Sequence, residues 1–237
     1  MKTNHLKNCN RKIPSKTEIS VRILAILAYS VFYINTFAWL EQRKVTEYHI
    51  IEMKADHLIP FCEYFIIPYL LWFAYIAVTV IIFVFLDRKD FVRLCLMLGI
   101  GMTIFLAVSY FIPNIQPLRP HVFPRDNIFT DLVKTLYATD TNTNVLPSIH
   151  VYNSVVVATA ISKAQQLEKF RGLRISSNIL CMLIVLSTMF LKQHSVYDVL
   201  TSIAMATALY WLVYYQPEAR TVAIAEKEEK LLKGIIH

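Results

Sequence analysis

Two histidines and one carboxylate in the second half of the chain have the residue types that acid–base and nucleophilic chemistry require. His194 and Asp198 are four residues apart, so on a helix they share one face. A carboxylate placed there can fix the tautomer of an imidazole and stabilise its charged form. His150 lies in a separate segment and is expected to be a second proton donor. Because imidazole is a good nucleophile toward phosphorus, these three residues predict phosphoryl transfer.

Cationic and hydroxyl side chains near these residues could hold a phosphate group. Arg119 can bind phosphate by a bidentate fork, and Lys192 lies two residues before His194. Ser148 and the first backbone N–H groups of the helix that follows it offer further donors to an anion. The sequence therefore predicts Arg119, Ser148 and Lys192 as phosphate ligands, with Arg125 as a further candidate.

These residues also have structural interpretations. A histidine at a helix end is more often structural than catalytic, and the His–x–x–x–Asp spacing alone does not decide between the two. The spacing could also hold a metal ion, but the chain has no HExxH motif and no dense set of loop carboxylates. We therefore expect no metal and no cofactor. The polar residues of the loop near position 50 are interpreted as surface residues: His49, Asp56 and His57.

Long apolar segments must position the candidate residues. Hydrophobic residues make up 56% of the chain and charged residues only 17%, whereas a soluble domain is about a quarter charged. A helix needs about twenty apolar residues to cross a bilayer, and six segments approach that length. They are 20–40, 60–86, 92–113, 146–163, 175–191 and 195–215. We expect an all-α membrane protein whose six transmembrane helices form a bundle.

The distribution of basic residues predicts the orientation of these helices. The two tails and the loops near 90 and 170 carry 17 Lys and Arg, against 7 in the alternate loops. By the positive-inside rule, both termini then face the cytoplasm, and the candidate site lies at the extracytoplasmic face of the cell membrane. Since the basic residues flank apolar segments, the net charge of +7 does not predict a nucleic-acid partner.

The domain boundaries follow from the same segments. We predict a cytoplasmic tail at 1–18, a six-span domain at 19–216 and a second cytoplasmic tail at 217–237. The first and second outer loops, 41–58 and 114–145, mix apolar with charged residues, so each is expected to contain an interfacial helix. In the second loop the apolar residues have the spacing of an amphipathic helix. They are Ile128, Phe129, Leu132, Val133, Leu136 and Tyr137.

The three short stretches that contain the candidate residues, here called patches, together resemble the type 2 phosphatidic acid phosphatase superfamily. Its members are six-span membrane enzymes with the motifs K-x6-RP, PSGH and SR-x5-H-x3-D. The matching residues are Arg119–Pro120, Pro147–His150, and His194 with Asp198, and the resemblance covers about residues 60 to 215. The stretches around the last two patches are most similar to a bacterial branch, which also resembles inositol phosphorylceramide and sphingomyelin synthases.

The resemblance implies a lipid phosphatase or phosphotransferase that acts through a phosphohistidine intermediate on a membrane lipid phosphate. His194 would be the nucleophile, Asp198 its partner and His150 the general acid for the leaving group. Arg119 and Ser148 would contact phosphate. Which lipid is the substrate, and which oligomeric state the protein has, are left open by this resemblance.

The sequence departs from the family motifs at three positions. Ile112 stands where the first motif has Lys, Ile149 where the second has Gly, and Thr188 where the third has Arg. Each lost cationic contact could contribute about 1.5–3 kcal/mol, so a phosphodiester or diphosphate fits better than a doubly charged monoester. The departures also leave open a catalytically degenerate member that binds a lipid or a partner protein without turnover. A small transporter is disfavoured, because no pair of broken helices recurs in matching halves.

Overall fold

The fold is a bundle of long helices, described by a computed structural model over residues 14–215. The other elements of the described residues are three 3-10 turns and two strands of two residues each. The α-helices of the described residues are α1 (Lys16–Gln42), α2 (Ile66–Val84), α3 (Arg88–Phe111), α4 (Ile128–Thr139), α5 (Ile149–Lys163), α6 (Arg171–Phe190) and α7 (Val196–Tyr214).

Five of the helices between residues 14 and 215 are long and apolar enough to cross a membrane. They are α1, α2 with the turn that precedes it, α3, α6 and α7. The predicted all-α membrane class is therefore confirmed. The count of six spans stays a prediction, because α5 has 15 residues and is about 22 Å long, against a hydrocarbon core of about 30 Å.

Polar capping residues set the first residues of α1 and α3. Ser15 and Glu18 form a reciprocal capping box, in which each side chain accepts a hydrogen bond from the other's backbone N–H. For this reason α1 begins at Lys16, inside the predicted tail 1–18. Asp87 accepts from the N–H of Lys89 at 3.0 Å at the start of α3. The rest of that tail, up to residue 13, and the predicted tail 217–237 lie outside the described residues.

Helix α5 lies at the centre of the bundle, where it contacts α2, α3, α6 and α7. Its side chains Tyr152 and Val156 are fully buried. The crossing with α3 depends on Gly101, because a Cβ at that position would lie 2.0 Å from the Tyr152 ring. The Tyr152 hydroxyl also donates to the carbonyl of Met97 at 2.5 Å. The first turn of α5, which carries His150, is thereby held firmly against its neighbours.

The first loop does not contain the expected interfacial helix. Residues 41–58 form the short strand β1 (His49–Ile50) and a 3-10 turn (Lys54–Leu58). Strand β1 pairs in parallel with β2 (Asn114–Ile115) of the second loop. Because this pairing uses backbone groups of both loops, the two loops form one structure above the bundle. The second loop does contain the predicted amphipathic helix, α4, although its position at a membrane interface stays a prediction.

Candidate active site

His194 and Asp198 form a hydrogen-bonded pair at the start of α7. The Nδ1 atom of His194 lies 3.2 Å from the Oδ2 atom of Asp198. The same carboxylate oxygen accepts the backbone N–H of Ser195 at 3.1 Å, and Asp198 is fully buried. His150 is adjacent, with its ring centroid 5.7 Å from that of His194. The structure thus brings together all three residues that were predicted to be catalytic.

The chain between α6 and α7 is short and tightly hydrogen-bonded. The backbone N–H groups of Gln193 and His194 both donate to the carbonyl of Thr188, at 2.9 and 3.1 Å. Lys192 takes the left-handed backbone conformation, with φ of 53°, which reverses the chain direction at the end of α6. Ser195 then caps α7, since its side chain accepts the N–H of Tyr197 at 3.1 Å. His194 is therefore held on both sides by backbone hydrogen bonds.

Asp56, from the first loop, holds the start of α7 in place. Its carboxylate accepts the hydroxyl of Ser195 at 2.6 Å, the N–H of Val196 at 2.7 Å and the N–H of Met53 at 2.6 Å. Asp56 is only 2% exposed, so its interpretation as a surface residue is wrong. The contact with Ser195 joins positions 139 residues apart, and no local pattern in the sequence signals it. His57, by contrast, is exposed as expected.

His150 packs against two aromatic rings of α2. Its ring centroid lies 4.7 Å from that of Tyr69 and 4.4 Å from that of Trp72. Its Nδ1 atom is buried and has no hydrogen-bond partner in residues 14–215. Sequence reasoning assigned both aromatic residues to membrane spans, and it had no signal that they line a site.

Ser148 is fully buried and connects α5 with α7. Its hydroxyl caps α5 by accepting the N–H of Val151 at 3.4 Å. Its carbonyl oxygen lies 2.9 Å from the hydroxyl of Ser202, which also lies 2.6 Å from the carbonyl of Asp198. Ser148 is therefore in the candidate site, while its predicted contact with phosphate stays a prediction.

Arg119 reaches the site, but four of its five N–H bonds go to protein acceptors. Its terminal nitrogens donate to the carbonyls of Tyr137, Asp140 and Thr141 and to Oε1 of Gln193, at 2.6 to 3.2 Å. Burial lowers the pKa of Arg119 from its usual value. Its Nε atom alone has no partner within the described part of the chain. A role in phosphate binding would therefore depend on that one N–H group.

Lys192 also stabilises the fold. Its ammonium group donates to the carbonyls of Asp56 and Ile59, at 2.6 and 2.5 Å, and burial lowers its pKa. These bonds attach the first loop to the turn that carries His194. Arg125, the further candidate, forms a bidentate pair with the buried Glu63 at 2.6 and 2.7 Å. Neither side chain is therefore a freely available phosphate ligand.

A model of the PAP2 superfamily matches residues 90–221, which is more than half of the chain. The chain belongs to the PAP2 superfamily. The family and the apolar helices together indicate a multi-pass membrane protein of the phosphatase type. No curated protein and no solved structure matches the chain.

The PAP2 match contains every candidate site residue named from the sequence, but it does not contain the first loop or α2. Asp56, Tyr69 and Trp72 thus reach the site from outside the matched region. The PAP2 superfamily generally hydrolyses phosphate esters.

Asp140 is a carboxylate of this PAP2 protein that sequence reasoning did not single out. It follows the last residue of α4, and its Oδ2 atom accepts the hydroxyl of Tyr69 at 3.4 Å. Its backbone carbonyl accepts a hydrogen bond from Arg119 at 2.8 Å. Burial raises the pKa of Asp140, although the charge of a protonated His194 acts in the opposite direction. The side chain is thus a second, weakly partnered carboxylate near the two histidines.

Several buried polar atoms around His194 have no partner in the described residues. Unpaired buried groups are uncommon in folded proteins, and a catalytic role or a bound water or ion is a frequent reason for one. The atoms are Nε1 of Trp72, Nε of Arg119, Nδ1 of His150, Nε2 of Gln193 and Oδ1 of Asp198. Among them the N–H donors of Trp72 and Gln193 are neutral, and that of Arg119 is cationic.

Proposed function

We propose that this PAP2 protein is a membrane lipid phosphatase or lipid phosphotransferase that acts through a phosphohistidine on His194. The observation that carries the proposal is the hydrogen bond between His194 and Asp198, with His150 adjacent on the neighbouring helix. A carboxylate on Nδ1 leaves the Nε2 atom of His194 as the nucleophile. The pair has the geometry of an activated nucleophile and its orienting partner.

The reaction has two steps. In the first, Nε2 of His194 attacks phosphorus while the bond from phosphorus to the leaving oxygen breaks, and His150 gives a proton to that oxygen. Asp198 stabilises the positive charge on the His194 ring. In the second step, water or a lipid hydroxyl attacks phosphorus and gives its proton to His150, and the bond to His194 breaks. Water makes the protein a phosphatase, and a lipid hydroxyl makes it a phosphotransferase.

The remaining donors favour a phosphate of low charge. The family cations are replaced by Ile112 and by Thr188, whose hydroxyl donates to a backbone carbonyl in its own helix at 2.8 Å. Arg119 and Lys192 together use six of their eight N–H bonds within the fold. The unpaired donors of Gln193 and Trp72 are neutral. A phosphodiester or diphosphate linkage therefore suits this site better than a dianionic monoester.

The site is proposed to face away from the cytoplasm, in a six-span protein with both termini inside. The tails and loops proposed to face the cytoplasm carry 17 Lys and Arg, and the outer loops carry 7, which supports this orientation. The test uses single cysteines at exposed positions on the two sides, Asp126→Cys and Lys169→Cys, in a background without the native cysteines. An impermeant thiol reagent should label the first but not the second in sealed cells. The reverse pattern would contradict the orientation.

Activity is tested with purified protein in detergent and a panel of lipids. The panel contains phosphatidic acid, an isoprenyl diphosphate, and a phosphoinositide together with ceramide or diacylglycerol. Wild type and His194→Ala are compared, with His57→Ala as the exposed control. We expect product from wild type and from the control only. Equal product from wild type and His194→Ala, or none across the panel, would contradict the proposal. A need for the acceptor lipid would identify a phosphotransferase.

A catalytically degenerate protein that binds a lipid or a partner without turnover is the second candidate. The observation that favours it is the engagement of Arg119 and Lys192 by backbone carbonyls. The intact hydrogen bond between His194 and Asp198 argues against it, because a binding protein does not require an oriented imidazole. Lipid binding by wild type with no product from any panel member would select this alternative.

A further inference from the structure

Asp140 accepts fewer and longer hydrogen bonds from the protein than the other carboxylates near His194. Asp56 accepts three hydrogen bonds at 2.6 to 2.7 Å, and Asp198 has two partners at 3.1 and 3.2 Å. Asp140 has one side-chain partner, the hydroxyl of Tyr69, at the long distance of 3.4 Å. A largely buried carboxylate with one weak donor is poorly compensated, and its pKa is raised by burial. It therefore retains capacity to accept further donors.

The contacts of Asp140 place it beside the reacting groups. The Tyr69 ring, whose hydroxyl it accepts, packs on the ring of His150 at 4.7 Å. Its carbonyl binds Arg119, which in turn donates to Oε1 of Gln193 at 2.6 Å. Gln193 is only 2% exposed, precedes His194 in the chain and has an unpaired Nε2 donor. Asp140 thus lies on the side of the site that is formed by α2 and the second loop.

The formal charges of the site disfavour a dianion. The three carboxylates Asp56, Asp140 and Asp198 outnumber the two cations, Arg119 and Lys192. Arg119 donates four of its five N–H bonds, and Lys192 two of its three, to protein acceptors. A phosphomonoester would bring two further negative charges next to Asp140, whereas a phosphodiester brings one. A head group with hydroxyl or ammonium donors would also supply the hydrogen bonds that Asp140 lacks.

We infer that Asp140 is a specificity residue that accepts a hydrogen bond from a hydroxyl or ammonium head group of a phosphodiester lipid and disfavours phosphomonoesters. The inference rests on the proposed function and specifies its substrate class. When His194 attacks and the diacylglycerol oxygen leaves with a proton from His150, the head group stays on phosphorus. Asp140 therefore holds the same group in both steps, and the head-group phosphate is the part that is transferred.

The first test compares two lipids in three variants. Wild type, Asp140→Asn and the exposed control Asp126→Asn are assayed with phosphatidic acid and with phosphatidylinositol plus ceramide. Loss of a charge-assisted hydrogen bond should lower kcat/KM for phosphatidylinositol by about 10- to 100-fold in Asp140→Asn. The value for phosphatidic acid should stay constant or rise. Unchanged preference, or an equal loss on both lipids, would overturn the inference.

A second variant separates binding of the head group from a structural role. Tyr69→Phe removes the one side-chain hydrogen bond of Asp140 and leaves the carboxylate in place. If Asp140 acts by contact with the head group, Tyr69→Phe keeps the preference for phosphatidylinositol. If Asp140 acts only by positioning Tyr69, the two variants lose that preference equally, and the inference is wrong.

A binding measurement separates this inference from the proposed reaction. His194→Ala, which cannot form the phosphohistidine, is compared with the double variant that also carries Asp140→Asn. Affinities for fluorescent phosphatidylinositol and phosphatidic acid are measured in detergent. A selective loss of phosphatidylinositol affinity in the double variant supports the inference even if wild type shows no turnover. Equal affinities of the two variants for phosphatidylinositol would overturn it even if wild type is active.

Discussion

His194 and His150 have ring centroids 5.7 Å apart, yet the protein holds them in opposite ways. His194 is bound through hydrogen bonds: its ring to Asp198, its backbone to Thr188, and the helix start beside it to Asp56. His150 is held by the rings of Tyr69 and Trp72, and its buried Nδ1 has no partner in residues 14–215. One imidazole is fixed in orientation and tautomer, and the other is fixed mainly in position.

This difference fits the two chemical tasks that we propose for His194 and His150. A nucleophile must present the same lone pair in every cycle, so a carboxylate on the opposite ring nitrogen is an advantage. A general acid must lose its proton in one step and regain it in the next, so neither protonation state should be locked. The aromatic walls give His150 a defined place without favouring its cation through a carboxylate. The two histidines are therefore expected to respond differently to mutation and to the leaving group.

Loss of the nucleophile should have the largest effect. We expect His194→Ala to lower kcat by at least about 10³-fold for every substrate, whatever its leaving group, because no covalent intermediate can form. Steady-state assays with natural lipids and with a p-nitrophenyl ester measure this. The unfolding temperature of the variant is measured beside that of wild type, so that loss of chemistry is distinguished from loss of folding. Retention of activity on either substrate would remove His194 from the covalent step.

Loss of His150 should depend on the leaving group. We expect His150→Ala to lower kcat/KM, which reports formation of the phosphohistidine, by about 10²–10⁴-fold for lipids with alkoxide leaving groups, which need a proton. The loss should be much smaller for a p-nitrophenyl ester, whose leaving group departs as an anion. The ratio of the two losses is the measured quantity. An equal loss on both substrates would show that His150 is not the general acid.

Substitution of Asp56 should lower kcat by the same factor for every leaving group, because Asp56 positions His194. In Asp56→Asn one carboxylate acceptor of the α7 start is lost, and we expect about a tenfold lower kcat on lipid and p-nitrophenyl substrates alike. The weaker charge-assisted bonds should also lower the free energy of unfolding by about 1–3 kcal/mol. Thermal unfolding and kcat are measured together, with the exposed Asp131→Asn as the control. Unchanged stability and unchanged kcat would contradict the positioning role.

Trp72 should give the smallest effect and test how His150 is held. Trp72→Phe retains an aromatic ring, so we expect less than about a threefold change in kcat, whereas Trp72→Ala should cost about tenfold. Such losses correspond to the value of an aromatic contact rather than of a catalytic hydrogen bond. A large loss in Trp72→Phe would instead show that its Nε1–H binds the substrate phosphate.

Local patterns in the sequence predicted part of this site. Residues four apart on a helix lie on the same face, so the contact between His194 and Asp198 could be predicted from their spacing. The amphipathic helix over 128–137 could be predicted from the same periodicity in its apolar residues. The acceptors of Arg119 and Lys192 could not be predicted, because most are backbone carbonyls and every residue has one. Asp56 was hidden by its long sequence separation from Ser195.

Three further residues of the site could not be predicted from the sequence, for other reasons. Tyr69 and Trp72 lie in an apolar span, where the sequence does not distinguish a lipid-facing ring from one that contacts His150. Asp140 follows a helix of ordinary amphipathic character, and its place in the site depends on how the second loop packs on α2. The start of α5 also could not be predicted, because Leu146 and Pro147 extend the apolar segment beyond Ser148, the residue that caps the helix.

Trapping the covalent intermediate tests the central claim most directly. His150→Ala is mixed with a p-nitrophenyl ester of the preferred phosphate, which can form the phosphohistidine but, without His150 as the base, should release it slowly. The protein is quenched in base, which preserves phosphohistidine, and its peptides are analysed by mass spectrometry. We predict a phosphorus group on His194 that is absent from His194→Ala. The absence of any adduct despite a burst of p-nitrophenol, or an adduct on another residue such as Ser148, would contradict the account.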